Sequence, residues 1–243
     1  SKAHYELPAK QFDMSKKAVV FSIVLFVLMT FIASDACRQD MALSAAAAER
    51  VSSSETTDKG YLISAYDDMM RRIGEEEGQD WILMSAIAYS ESRFESDLVS
   101  NQGAIGLMQV MPIVGKQFNV AKERIMDPET NIRLAGKLLN EIDESLNFSP
   151  ATPANDRLSI ILACYNGGIG HVSDARRLAR SNGEDPNSWE VVARYLDMKA
   201  DPAVYESELV RYGKFTGSRQ TKSYVREVMQ RYDTYRKMVA GRS

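Results

Sequence analysis

The stretch DPETNIRLAGKLLNEIDESL, Asp127 to Leu146, decides the fold class. Asp127 is placed to cap a helix, Pro128 fits its first position, and Glu129 sets a negative charge against the positive end of the helix dipole. Ile132, Ala135, Leu138, Leu139 and Ile142 follow at the three- and four-residue spacing of one buried stripe. A helix with one apolar face must bury it against something, and the sequence on both sides offers further helices rather than strands.

Upstream, Tyr61, Leu62, Ile63, Tyr66, Met69, Met70 and Ile73 predict a first helix that closes at Gly74. Asp80 caps a second, with Trp81, Met84, Ile87 and Ala88 on one face, running to about Phe94. Gly103 and Gly106 mark a turn, and Leu107 to Met111 reads as a short third helix stopped near Pro112. Downstream, Ser149 to Asp156 reads as a loop and Arg157 to Tyr165 as an apolar helix ending in Asn166-Gly167-Gly168. Val172 to Arg180, Trp189 to Leu196 and Ser223 to Val239 complete the helices. No alternating pattern of useful length predicts a strand. The expected fold is all-α, occupies residues 60–243 and is large enough to bury a proper core.

The composition, 44% hydrophobic and 26% charged with a net charge of -3, is that of an ordinary soluble domain. Acids and bases are interleaved, so the basic footprint of a nucleic-acid binder is missing. The N-terminal part differs. Ala18 to Ala33, AVVFSIVLFVLMTFIA, follows Lys16-Lys17 and precedes Ser34-Asp35-Ala36-Cys37. A spanning helix wants about 20 apolar residues, and this shorter run with a charged start and a small-residue end matches a secretory signal.

Residues 1–13 therefore read as sequence ahead of a start at Met14, 14–36 as the signal and 37–59, small and polar, as a flexible tether. Cys37 stands where bacterial lipoproteins carry their lipid, although Asp35 fits that pattern poorly. Lipidation there would anchor the protein to a membrane; simple cleavage after Ala36 and an uncleaved anchor are the alternatives. Cys164, the only other cysteine, would then lack a disulfide partner and reads as a small buried hydrophobe.

Candidates for chemistry are few. The two histidines are His4 and His171, with no GxSxG elbow beside them. HExxH and CxxC are absent, and QGAIGL lacks the Lys and Ser or Thr of a phosphate loop, so neither a metal nor a cofactor is expected. Carboxylate chemistry remains. Glu91 stands a turn after Ile87 and Ala88 and ahead of Leu107, Met108 and Met111. A glutamate walled by such residues loses hydration and holds its proton to higher pH, as a general acid for sugar-ether cleavage must. Spacing alone leaves Glu95, one turn later, with a similar claim.

Several separated motifs decide between them. AYSESRF, then Ser100, GAIGLMQVMP, ILACYNGGIG (Ile161 to Gly170) and QTKSYV (Gln220 to Val225) resemble, in order and spacing, the motifs of the soluble lytic transglycosylase (SLT) catalytic domain of the lysozyme superfamily. The likeness spans roughly Tyr61 to Tyr235. GHVSDARRLA, DPNSW and RYGKFTGSRQTKSYV are most similar to the catalytic half of membrane-bound lytic transglycosylases of the F type. Those proteins usually carry a solute-binding-like domain ahead of the catalytic one, for which the residues before Gly60 are too few.

The resemblance implies that Glu91 is a single catalytic acid/base. It implies that Gly106, Leu107, Met108 and Gln109 line the groove, with Gln109 on glycan or peptide, and that Ser100 lies near a sugar subsite. Tyr165 and Asn166 would face the catalytic residue and Tyr224 would orient it. Each has a plainer alternative: core packing for Met108, amphipathic-face packing with its hydroxyl in water for Tyr224, a turn cap for Ser100, a helix end for Asn166, a solvated helix residue for Gln109. Cys164 replaces the alanine usual before the tyrosine.

The implied activity is that of a carbon–oxygen lyase. It cleaves the β-1,4 bond between N-acetylmuramic acid and N-acetylglucosamine without water and leaves 1,6-anhydro ends. The implied setting is the periplasmic side of a bacterial envelope, with peptidoglycan strands as partner, outer-membrane anchoring through Cys37 and a monomeric state. A lysozyme-type hydrolase and a non-catalytic murein-binding module are the competing readings.

Overall fold

A computed structural model describes residues 61–241. The signal, the tether, Cys37 and His4 lie outside the described residues. The helices are α1 Asp67–Glu77, α2 Trp81–Ser92, α3 Pro112–Gln117, α4 Pro128–Leu146, α5 Ala154–Gly167, α6 Ile169–Ser181, α7 Trp189–Met198, α8 Pro202–Tyr205 and α9 Ser218–Ala240, with a 3-10 turn at Lys122–Arg124. Among the described residues there is no strand, only isolated antiparallel bridges that join Ile105 to Val99 and to Val110. The fold is all-α, as expected.

Helix α4 begins as the sequence predicts. The Asp127 carboxylate accepts from the Thr130 amide at 3.0 Å and from its hydroxyl at 2.7 Å, a cap that contributes about 1 kcal/mol. Asp80 caps α2 in the same way through the Ile82 amide at 2.8 Å. Helix α1 departs from expectation at both ends. The Asp67 carboxylate accepts from the amides of Leu62, Ile63 and Ser64, which holds those residues in a loop ahead of the helix. At the far end the helix runs through Gly74 to Glu77 and stops at Gly78, whose φ of 69° suits a left-handed cap. Gly74 lies inside because the chain folds back tightly: a methyl group there would meet the Gln79 carbonyl oxygen at 2.7 Å.

The expected helix from Leu107 to Met111 does not form. Gly106 and Gln109 take left-handed φ angles of 76° and 48°, Ile105 and Val110 exchange backbone hydrogen bonds, and Pro112 opens α3 instead of ending a helix. Helix α9 starts at Ser218, earlier than its apolar stripe suggested.

Two helices are buried almost all round. Leu83 to Ala88 of α2 and Ser159 to Cys164 of α5 are all shielded from solvent. Helix α9 packs along both, α1 joins α2 to α4, and α6 and α7 close the far side of α5. Met84 and Ile87 have no exposed surface, so truncating either to alanine costs about 2 to 5 kcal/mol.

The far side of α5 holds a buried ionic cluster. Lys199 reaches the Asp174 carboxylate at 2.6 Å and His171 Nδ1 at 2.9 Å, and all three side chains are essentially without exposure. Asp174 also accepts from the amides of Arg211 and Tyr212 and from the Arg177 guanidinium. Burial and the neighbouring ammonium push His171 down to about 4, so it is neutral near pH 7. Phe215 stacks on His171 with centroids 4.5 Å apart and packs against Gly167, the last residue of α5. The GHVSDARRLA run is thus structural: it straps residues 209–215 to the helices beneath the end of α5.

Candidate active site

Glu91 is the next-to-last residue of α2. The helix ends one residue later because Arg93 turns left-handed, with φ of 56°. A short segment, Leu98 to Val110, folds back over this end and is pinned from three helices. From α2, the Ser92 hydroxyl donates to the Leu107 carbonyl at 2.8 Å or, alternatively, to Ala88 at 3.1 Å. From α4, the buried Asn131 amide donates to the carbonyls of Ile105 and Ile125 and accepts from the Met108 amide at 2.8 Å. From α5, the Tyr165 hydroxyl donates to the Met108 carbonyl at 2.7 Å. Gly106 is required where Asn131 passes, since a methyl there would lie 2.7 Å from Asn131 Nδ2.

Within the segment, the Ser100 hydroxyl accepts from the Ala104 amide at 3.0 Å, so this serine closes the turn. Gln109 donates from its Nε2 to the carbonyls of Leu98 at 3.2 Å and Gly106 at 2.9 Å. Asn166 accepts from the Thr221 hydroxyl of α9 at 3.0 Å. Met108 departs from expectation. Its side chain has no exposed surface, so it belongs to the core, and only its backbone serves the site.

Glu91 keeps a partial opening to solvent yet is densely surrounded. Burial pushes its carboxyl up from 4.5 to about 7; the Tyr224 hydroxyl opposes this and the Glu227 carboxylate reinforces it. Tyr224 is buried, and its hydroxyl, which faces Glu91, makes no hydrogen bond of regular geometry within the protein. The pair is a polar contact rather than a fixed hydrogen bond. Burial and the nearby Glu91 charge hold Tyr165 and Tyr224 well above the usual phenol range, so both stay neutral.

The structure thus gathers Glu91, Tyr165 and Tyr224 around one carboxyl, with the Ser100 to Gln109 turn beside it and Asn166 at the end of α5. Glu95, in contrast, is exposed. Cys164 is a free, buried thiol pushed upward by burial. Among the described residues no group of His, Cys, Asp and Glu could hold a metal ion, and no helix is long and apolar enough to cross a membrane. A carboxyl with these neighbours can donate a proton near neutral pH and take one back.

Sequence reasoning missed Asn131, Ser92, Thr221 and Glu227. Asn131 carried a usable signal: an uncharged polar residue beside Ile132, at the start of an apolar stripe, that needs buried partners.

Residues 68–187 match the transglycosylase SLT domain family and constitute such a domain. The chain is 33% identical over 168 residues to the membrane-bound lytic murein transglycosylase F of Alcanivorax borkumensis, covering 69% of this chain and 34% of that one. With the corresponding protein of Shewanella loihica it shares 36% over 156 residues, 64% of this chain and 31% of that. It therefore spans about a third of the length of these curated relatives. An inactive mutant of lytic transglycosylase Slt from Pseudomonas aeruginosa superposes with a TM-score of 0.52 at 22% identity, over 83% of this chain and 29% of that, a likeness of fold.

Proposed function

We propose that this protein is a peptidoglycan lytic transglycosylase in which Glu91 is the single acid/base. The observation that carries this is the Glu91 carboxyl, desolvated until its pKa reaches about 7. At neutral pH a large share of molecules hold the proton that the reaction needs.

Glu91 gives that proton to the oxygen bridging C1 of N-acetylmuramic acid and the next N-acetylglucosamine. The C1–O bond breaks, the glucosamine leaves as an alcohol, and the substrate's own N-acetyl group stabilises the cationic C1. Glu91, now a carboxylate, takes the proton from the muramoyl C6 hydroxyl as that oxygen bonds to C1. The 1,6-anhydro ring closes, Glu91 is protonated again, and no water is consumed. Most glycosidases divide these roles between two carboxylates. Here the hydroxyl of Tyr224 supports the ionised form of Glu91, and the turn from Ser100 to Gln109 supplies one wall, with the Gln109 amide oxygen toward glycan or peptide.

The same proposal includes export by residues 14–36, lipid attachment at Cys37 and a monomer acting from a membrane, the outer one, on the periplasmic face of the envelope. The test is mass spectrometry of murein digested by the wild type and by Glu91→Gln. Anhydro-muramoyl ends from the wild type alone are expected. Reducing ends would show lysozyme-type hydrolysis, equal solubilisation by the variant would remove Glu91 as the acid/base, and no solubilisation by either protein would reduce the domain to a binding module.

A further inference from the structure

Two residues beyond Glu91, the Arg93 guanidinium pairs with the Glu227 carboxylate of α9 at 3.5 Å. Glu227 follows Tyr224 by one helical turn, so the two occupy one face of α9, the helix that packs along α2. Arg93 is itself restrained. Its backbone is left-handed, and its guanidinium lies 4.3 Å from the Tyr89 ring, whose surroundings also include Arg231 at 3.6 Å.

We propose that the Arg93–Glu227 pair is a positioning element of the site: Arg93 holds Glu227 where its negative charge faces the Glu91–Tyr224 contact. This rests on Glu91 being the acid/base. The titratable side chains that face Glu91 are Tyr224 and Glu227 from α9 and Tyr165 from α5. The segment from Leu98 to Gln109 has none. Both tyrosines are neutral, so among the described residues Glu227 is the anion near Glu91, and it acts to keep the proton there. An ion pair at this half-exposed surface contributes little to stability, and its value lies in fixing where that charge sits.

The test uses the full chain, with Glu227→Gln and Arg93→Met. Two readouts are taken: the NMR titration of the Glu91 carboxyl and the pH dependence of anhydro-muropeptide release from sacculi. Glu227→Gln moves both midpoints down by roughly half a pH unit, about a threefold lower rate on the alkaline side. Arg93→Met moves them the same way by a smaller amount, because Glu227 is no longer held toward Glu91, and the double variant follows Glu227→Gln; an upward shift on Arg93→Met would overturn the positioning role. NMR midpoints that superimpose on the wild type, even with a lowered Tm, would mark a merely structural pair and overturn the proposal. The titration reads the charge whatever the chemistry; a wild type that releases no anhydro ends would sink the catalytic reading alone.

Discussion

Two clusters of buried ionisable groups flank α5, and they solve the same physical problem in opposite ways. Around Asp174 every charge is answered: Lys199, Arg177 and two backbone amides surround the carboxylate, and His171 stays neutral. Around Glu91, among the described residues, no cation answers the carboxyl; its neighbours are two neutral phenols and a second carboxylate. A paired charge settles into the interior and holds chain together. An unpaired one keeps its proton and can trade it, which is why the proposed chemistry is assigned to the second cluster although the first contains a histidine, a lysine and an aspartate.

The contrast is broken most decisively at its functional end. Glu91→Gln keeps size and polarity but holds no transferable proton, so murein solubilisation is expected to fall by about 10³-fold or more with the fold intact by circular dichroism. At the structural end, Lys199→Met leaves Asp174 buried without its ammonium. Urea unfolding should show a loss of about 3 to 5 kcal/mol, while turnover per folded molecule changes little.

Proton linkage sharpens the comparison further. Glu91 has a folded pKa above its unfolded value of 4.5, so the folded state binds more protons and Glu91 makes stability fall as pH rises from about 4.5 to 7. His171 has a folded pKa of about 4, below 6.5, so its contribution is present above pH 6.5 and lost as pH falls toward 4. The two trends oppose each other. The stability gain of Glu91→Gln over the wild type should therefore be near zero below pH 4.5 and grow to about 1 to 2 kcal/mol above pH 7, read from Tm against pH. A gain that is flat with pH would contradict the burial of Glu91. The smallest expected effect is Tyr224→Phe. It removes a hydroxyl that favours the ionised form, so the alkaline limb of the rate profile should move to higher pH, with turnover down about tenfold at most.

Much of the fold was legible because local chemistry and global packing agree there. Asp127-Pro128-Glu129 starts α4 as written, and Asp80 starts α2. The Leu107 to Met111 run misled because five residues are too few to reveal a period, and their conformation is dictated by Asn131, Tyr165 and Ser92, which arrive from elsewhere in the chain. The same remoteness hid the site. Glu91 and Glu95 look alike from their neighbours in sequence, and what separates them is burial by α5 and α9. Motif resemblance ranked Glu91 first, and the structure supplies the reason, a desolvation that no local window contains. Met108 belonged to the right motif but is placed by its backbone, since a core-facing side chain and a groove-facing one share one letter.

The segment from Leu98 to Val110 is fastened by residues of α2, α4 and α5, and Glu91 is enclosed only once α9, the last helix, has docked. In an incompletely folded chain Glu91 is an ordinary glutamate, ionised at neutral pH and useless as an acid. The raised proton affinity of Glu91 is therefore a property of the assembled helices and not of the chain alone, and it vanishes with their packing.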